Sequence, residues 1–265
     1  LLGTFYGIGV LTCPLIGLRE IPKYLEVPTR FFVGYFIASS AVYLLGFLGI
    51  LHREILLIVV LFGVWETIQK TARLPFNTTR PFNWLRLERL EQWSLMLIAL
   101  FLIGRLLSVL NFNSFGDPLF YNLPAGRDYL KVGGFQWFEH AEFYSQAGLS
   151  DIGLIYFHSL TSHPMLVQLA AQAFYYLTGT LFLLHILHKG LFSKWIPEKH
   201  SLWLAFSFIA MDTFRLESIV AKPDYWLAVL LCLIIVCLYE VLSEEIQKIS
   251  ATKIRKELRE KGKLK

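Results

Sequence analysis

The sequence predicts an all-α protein, a polytopic bundle of about six to seven transmembrane helices with a long external loop that contains short juxtamembrane helices. Three observations lead there. Apolar residues make up 55% of the 265 positions and charged residues only 17%. The apolar residues fall in long runs rather than in narrow amphipathic stripes, the pattern of a chain solvated by lipid. Basic residues are divided very unevenly between the connections, which is what orients a membrane protein.

A helix needs about 20 mostly apolar residues to cross the hydrocarbon core. Stretches of this kind are read at 1–18, 31–51, 54–69, 93–110, 166–188, 201–211 and 225–242, the sixth being the shortest. Nineteen of the 25 Lys and Arg fall in one alternate set of connections and five in the other, with Arg105 inside a span. The first set holds Arg19, Lys23 and Arg30, the five basic residues from Lys70 to Arg89, then Lys189, Lys194 and Lys199, and the eight beyond Leu242. That set is expected on the cytoplasmic side. Arg53, Arg127, Lys131, Arg215 and Lys222 are then external.

A pI near 9.0 raises the question of nucleic acid. The excess charge lies beside spans, so anionic lipid headgroups are the expected partner and nucleic acid is not. In the tail at 243–265, Ile246, Ile249, Ile254 and Leu258 recur at helical spacing among Lys and Arg. That reads as an amphipathic helix on the inner leaflet, or as a solvated helix. Cys13, Cys232 and Cys237 lie in apolar spans without ligand spacing, so neither a disulfide framework nor a zinc site is indicated. The Asn77-Thr78-Thr79 sequon falls in a loop assigned to the cytoplasm and is set aside. The chain begins Leu1-Leu2 with a first span of marginal length and no leader, and is expected to be a fragment of a longer protein.

Three segments follow: 1–92, N-terminal spans and a basic loop; 93–242, holding the external loop 111–165; and the tail 243–265. The loop carries too many aromatic residues for a solvated linker and should pack on the membrane surface. Within it, Pro124 is expected to open a short helix over 125–132 that Gly133-Gly134 ends. A second external stretch, 212–224, holds Asp212, Arg215, Glu217, Lys222 and Asp224, with Pro223 turning the chain into the last span.

Asp117 follows the fourth span in Gly116-Asp117-Pro118-Leu119-Phe120-Tyr121-Asn122-Leu123-Pro124. On composition this is turn chemistry or an acid held at the membrane surface for a purpose. The segment resembles the first external loop of the GT-C glycosyltransferases, typified by the dolichyl-phosphate-mannose-protein mannosyltransferases. In that family an Asp, three residues and then Tyr-His-Leu-Pro follow a span. Asp117, Tyr121, Leu123 and Pro124 match, and Asn122 stands where the family has His. Leu130-Lys131-Val132-Gly133-Gly134, His163-Pro164 and Ala221-Lys222-Pro223-Asp224 extend the likeness over about residues 93 to 242.

The resemblance implies transfer of a sugar from a polyprenyl-phosphate carrier to an acceptor hydroxyl or amine, on the external face and with inversion. The acceptor is a lipid, glycan or protein. Asp117 and Asp224 are the candidate catalytic carboxylates, Asp117 as general base. Asp224 positions the acceptor, or helps hold a divalent metal, or caps the last helix. Arg127, Lys131, Arg215 and Lys222 are candidates to meet the charge on the leaving phosphate. Tyr121 and His163 are candidate substrate-binding residues by their motif positions, and Glu139 is a candidate metal ligand. His140 and His158 are expected to be solvated or packed, since their spacing suits no ligand pair. The resemblance also points to a bacterial inner membrane with the active face periplasmic. Two other readings stand beside it: a transporter or lipid flippase, and a non-catalytic membrane scaffold.

Overall fold

The computed structural model describes residues 1–18, 21–72, 89–109, 123–136, 153, 155–210, 226, 228–243 and 246. Among them the chain is helical, without strands. In order the helices are α1 (Leu2–Leu15), α2 (Lys23–Phe47), α3 (Arg53–Ala72), α4 (Arg89–Val109), α5 (Leu123–Val132), α6 (Ile155–Leu160), α7 (Pro164–His185), α8 (Glu198–Ile209) and α9 (Ala228–Ser243). A π-helical turn, Ile186–Leu191, and a 3-10 turn, Phe192–Lys194, prolong α7.

Each predicted apolar stretch is helical over most of its described residues. Among the described residues three helices are long and apolar enough to cross a membrane: α2, α3, and α7 with its prolongation to Lys194. The apolar helices Leu2–Leu15, Leu95–Ser108, His200–Ile209 and Ala228–Ser243 are shorter. At 1.5 Å per residue these apolar stretches measure about 15–24 Å, against a hydrocarbon core of about 30 Å, while α4 as a whole, with 21 residues, reaches about 31 Å. Of the expected six or seven crossings, three are long enough among the described residues. The predicted tail helix lies outside the described residues, apart from Ile246.

Helix α2 begins eight residues before its predicted start. Its first two turns are amphiphilic, and hydropathy alone does not register them. They hold together through the Glu26–Arg30 ion pair at 2.9 Å, one turn apart. At its other end Gly49 takes φ +71°, and the Ile50 N–H reaches back to the Leu45 carbonyl at 3.0 Å. This is a Schellman closure, in which the left-handed residue favours glycine.

Helix α1 packs against both α2 and α3 with backbone nearly touching backbone. A Cβ on Gly9 would overlap the Arg30 carbonyl, and one on Gly34 would overlap that of Phe5. A Cβ on Gly7 would overlap Gly63, which itself sits against Thr4. Thr4 Oγ1 donates to the Val60 carbonyl at 3.3 Å, and Thr67 Oγ1 to that of Gly3 at 2.5 Å. Small residues that let helices approach in this way are the usual substitute for a hydrophobic drive where the solvent is lipid.

Above this seam an aromatic core joins distant parts of the chain. Trp226 lies between Tyr175 and Tyr35, with ring centroids at 4.5 and 4.7 Å. Its indole donates to the Tyr175 carbonyl at 3.2 Å. The Tyr35 and Tyr175 hydroxyls share a hydrogen bond at 3.3 Å, and Tyr156 donates to the Ala38 carbonyl at 2.9 Å. Helices α2 and α7 run antiparallel past this core, because His185 Nε2 meets the Tyr24 carbonyl at 2.5 Å at the Lys23 end of α2. The π turn follows there, and beyond it Lys194 is ion-paired with Glu240 of α9.

Since Gly34 has no room for a side chain, Gly34→Leu is expected to destabilise the purified protein by about 2–3 kcal/mol or more through overpacking. Gly104→Ala, on an open face, should leave the thermal unfolding midpoint within about 1 °C of the parent. Comparable midpoints for the two variants would refute the glycine seam.

Candidate functional site

The Phe47 end of the bundle gathers four pieces of chain. Helix α5 opens with Leu123-Pro124, Pro124 being tolerated in a first turn where no intrahelical donor is needed. It stops at Gly133, whose φ is +74°, with the Gly134 N–H bonded back to the Tyr129 carbonyl at 3.1 Å. This is the short helix expected from Pro124 and Gly133-Gly134. Its ending docks on the α2–α3 connection: Leu51 N–H donates to the Gly133 carbonyl at 2.7 Å, and Phe135 N–H to that of Gly46 at 3.1 Å.

One face of α5 is apolar and sunk into the fold. Ala125 and Tyr129 are buried, and the Phe135 ring packs on Tyr129 at 4.8 Å and on Tyr43 and Phe47 at 5.5 Å. Burial, with the neighbouring Tyr43 adding to it, pushes the Tyr129 hydroxyl above its ordinary pKa. The other face holds the charge. Arg127 Nε donates to Asp128 Oδ1 at 2.8 Å and its Nη2 to Oδ2 at 3.3 Å, while Lys131 Nζ stands 3.9 Å from Oδ1. Asp128 is 8% exposed, whereas Arg127 and Lys131 reach into solvent. Two cations thus flank one carboxylate, leaving a net positive helix surface suited to phosphate.

Helix α6 lies behind α5. Gly126 gives His158 its place, since a Cβ there would stand 2.9 Å from the imidazole Cδ2. His158 is 8% exposed, so packing is the outcome of the two expectations. Arg53, at the start of α3, closes α6: Nε donates to the Ser159 carbonyl at 2.6 Å and Nη2 to that of Leu160 at 3.4 Å. Carbonyls of a last helical turn lack intrahelical donors and carry the negative end of the dipole, which a guanidinium satisfies on both counts. The chain then passes through His163 into α7, with Pro164 in its first turn. His163 is exposed, and its backbone N–H donates to Thr161 Oγ1 at 3.2 Å.

Of the candidate residues, the structure brings Arg127, Lys131 and His163 to this one end. Asp117, Tyr121, Glu139, Arg215, Lys222 and Asp224 lie outside the described residues. Asp128 and the clamp made by Arg53 are new. The pattern Arg127-Asp128-x-x-Lys131 places both cations within a turn of the acid, and that spacing was the available signal for it. Among the described residues no three His, Cys, Asp or Glu side chains converge as a metal site requires. Asp128 is engaged with two cations, so it does not suit a metal ligand. No protein-family model matches the chain, nor does any curated protein or solved structure.

Two expectations follow. Arg53→Gln should raise amide hydrogen exchange across α6 and cost about 1 kcal/mol, the scale of charge-assisted bonds at an exposed site; unchanged exchange at α6 would leave the clamp without effect. Because Tyr129 is raised in the folded state, its contribution to stability is complete below its unfolded pKa of about 10 and is lost as pH climbs through the folded value. Tyr129→Phe should therefore hold α5 in place at a pH near 11 where the parent shows increased exchange.

Proposed function

We propose that this chain is a membrane glycosyltransferase of the GT-C type, or the part of one that carries the acceptor-side carboxylates. It transfers a sugar from a polyprenyl-phosphate carrier to an acceptor on the outer face of the membrane, with inversion. In this reading the chain crosses the bilayer more than three times, in a bacterial inner membrane, with the Phe47 end periplasmic.

The observation that carries the reading is the gathering of α5, α6, the His163 start of α7 and the α2–α3 connection at that one end. Helix α5 begins within the Asp117-to-Pro124 motif, and His163-Pro164 opens α7 in the order of the family's segments, while α6 lies in the stretch 136–162 that has no counterpart in the resemblance. Lys23, Lys70, Lys189 and Lys194, from the connections expected in the cytoplasm, sit on the ends of α2, α3 and α7 remote from it.

The chemistry asked of these residues is modest. The Asp117 carboxylate takes the proton of the acceptor hydroxyl or amine as that atom attacks the anomeric carbon. The bond from that carbon to the carrier phosphate breaks on the opposite side, and its electron pair leaves with the phosphate. Arg127 and Lys131, with Arg215 and Lys222, meet the growing negative charge by charge-assisted hydrogen bonds. Asp224 positions the acceptor. No step is routed through a metal.

In detergent-purified protein supplied with lipid-linked sugars, release of free polyprenyl phosphate is expected from the parent. Asp117→Asn should reduce it by about 10²–10⁴-fold, the range for loss of a general base, at unchanged abundance. Equal release by both proteins would place the base elsewhere. Release by neither would favour the transporter or scaffold readings.

A further inference from the structure

At the Lys23 end, remote from the proposed transfer site, a cavity of about 540 Å³ opens between α2 and α9. Such a volume is in the range of small-molecule sites, about 300–1,000 Å³. Ile21, Leu25 and Val241 give it an apolar wall, and Thr29 and Glu240 supply polar groups. The Tyr24 hydroxyl is itself buried in the protein, so Tyr24 lines the cavity by its ring.

The charges beside the cavity are paired and oriented. Glu240 receives Lys194, whose ammonium also stands over the Tyr239 ring at 4.6 Å and the Tyr24 ring at 5.9 Å. Trp195, next in sequence and 70% exposed, packs against Tyr239 at 6.3 Å. Tyr and Trp gathered at the end of an apolar helix mark the depth of lipid headgroups. An anionic headgroup would meet the Glu240 carboxylate, and a plain cation would meet the Lys194 ammonium. A headgroup with both signs complements the pair: an ammonium for Glu240 and a phosphate for Lys194.

We propose that this cavity binds the headgroup of an aminophospholipid, a zwitterion with a hydrogen-bonding primary ammonium, its acyl chains leaving along Leu25 and Val241. A quaternary ammonium of the same charge cannot donate to Glu240, and the site discriminates on that ground. The proposal is independent of the transferase reading.

The test uses the full chain, delipidated in mild detergent and offered phosphatidylethanolamine, phosphatidylcholine or phosphatidylglycerol of identical acyl chains. Retained lipid is counted by native mass spectrometry. Phosphatidylethanolamine is expected to be retained about tenfold better than either other lipid, the factor given by one charge-assisted hydrogen bond. Lys194→Gln should lower the retention of all three lipids several-fold, since each carries the phosphate. Glu240→Leu, which has no acceptor, should abolish the advantage of phosphatidylethanolamine over phosphatidylcholine. Equal retention of the three lipids by the parent, a preference for phosphatidylglycerol, or unchanged retention in Lys194→Gln would each overturn the proposal. The comparison of the three lipids uses the parent protein, so the proposal remains open to refutation even if a variant does not fold. No sugar donor is present, so the result is separate from that of the transfer assay.

Discussion

The close approach of α1 to α2 and α3 is the contact on which the rest of the structure leans. Gly9 against Arg30, Gly34 against Phe5 and Gly7 against Gly63 bring backbones within a side chain's width. In water such an approach would be one option among many, because burying leucines between helices would serve as well. In lipid the tails match a leucine for apolarity, so close dispersion contact and the Thr4 and Thr67 hydrogen bonds across the seam supply the attraction. With α1 seated, Phe5 enters the ring cluster edge-on to Tyr35 and Tyr156, at 5.0 and 5.6 Å. Through them it touches α6 and α7. Helix α1 thus sets the spacing between α2 and α3, two helices long enough to cross a membrane.

The two ends of the bundle solve different problems. At the Phe47 end, segments too short to be stable helices in isolation are fixed by backbone bonds to a glycine-closed turn and by a guanidinium on exposed carbonyls. That is how a polar surface acquires defined geometry without a core of its own. At the Lys23 end the polar groups are partly within the fold, and Lys194 joins Glu240 and two tyrosine rings in one cluster. The first end presents cations outward, where a lipid-borne phosphate could reach them. The second faces inward, around a cavity.

Much of the helical content was legible because long apolar runs leave few alternatives, and the limits of α5 were legible because Pro and Gly-Gly act locally. The start of α2 was not, since charged turns such as Glu26–Arg30 lower hydropathy without breaking a helix. Nor were the glycine contacts: in a span, Gly7 and Gly9 read as ordinary apolar filling until the carbonyls opposite them are known. On the site, Arg127 and Lys131 were found as cations, but the sequence reading passed over Asp128. Its neutralisation depends on which helix face it shares, and that becomes visible only once α5 has a buried side. For the crossings, hydropathy marks apolar composition, while crossing also requires unbroken length, which α2, α3 and the prolonged α7 have among the described residues.

The π turn at Ile186–Leu191 has a consequence for register. A π turn accommodates one residue beyond the α-helical count, and such turns are rare enough to be read as insertions kept for a reason. One residue corresponds to about 100° of rotation about the helix axis. Upstream of the turn, α7 keeps Tyr175 and Phe182 in the aromatic core. Downstream, the same rotation turns Lys194 toward Glu240 and Tyr24. The turn uncouples the two faces, so that the interior of the helix and its headgroup-level end can change in sequence independently of each other.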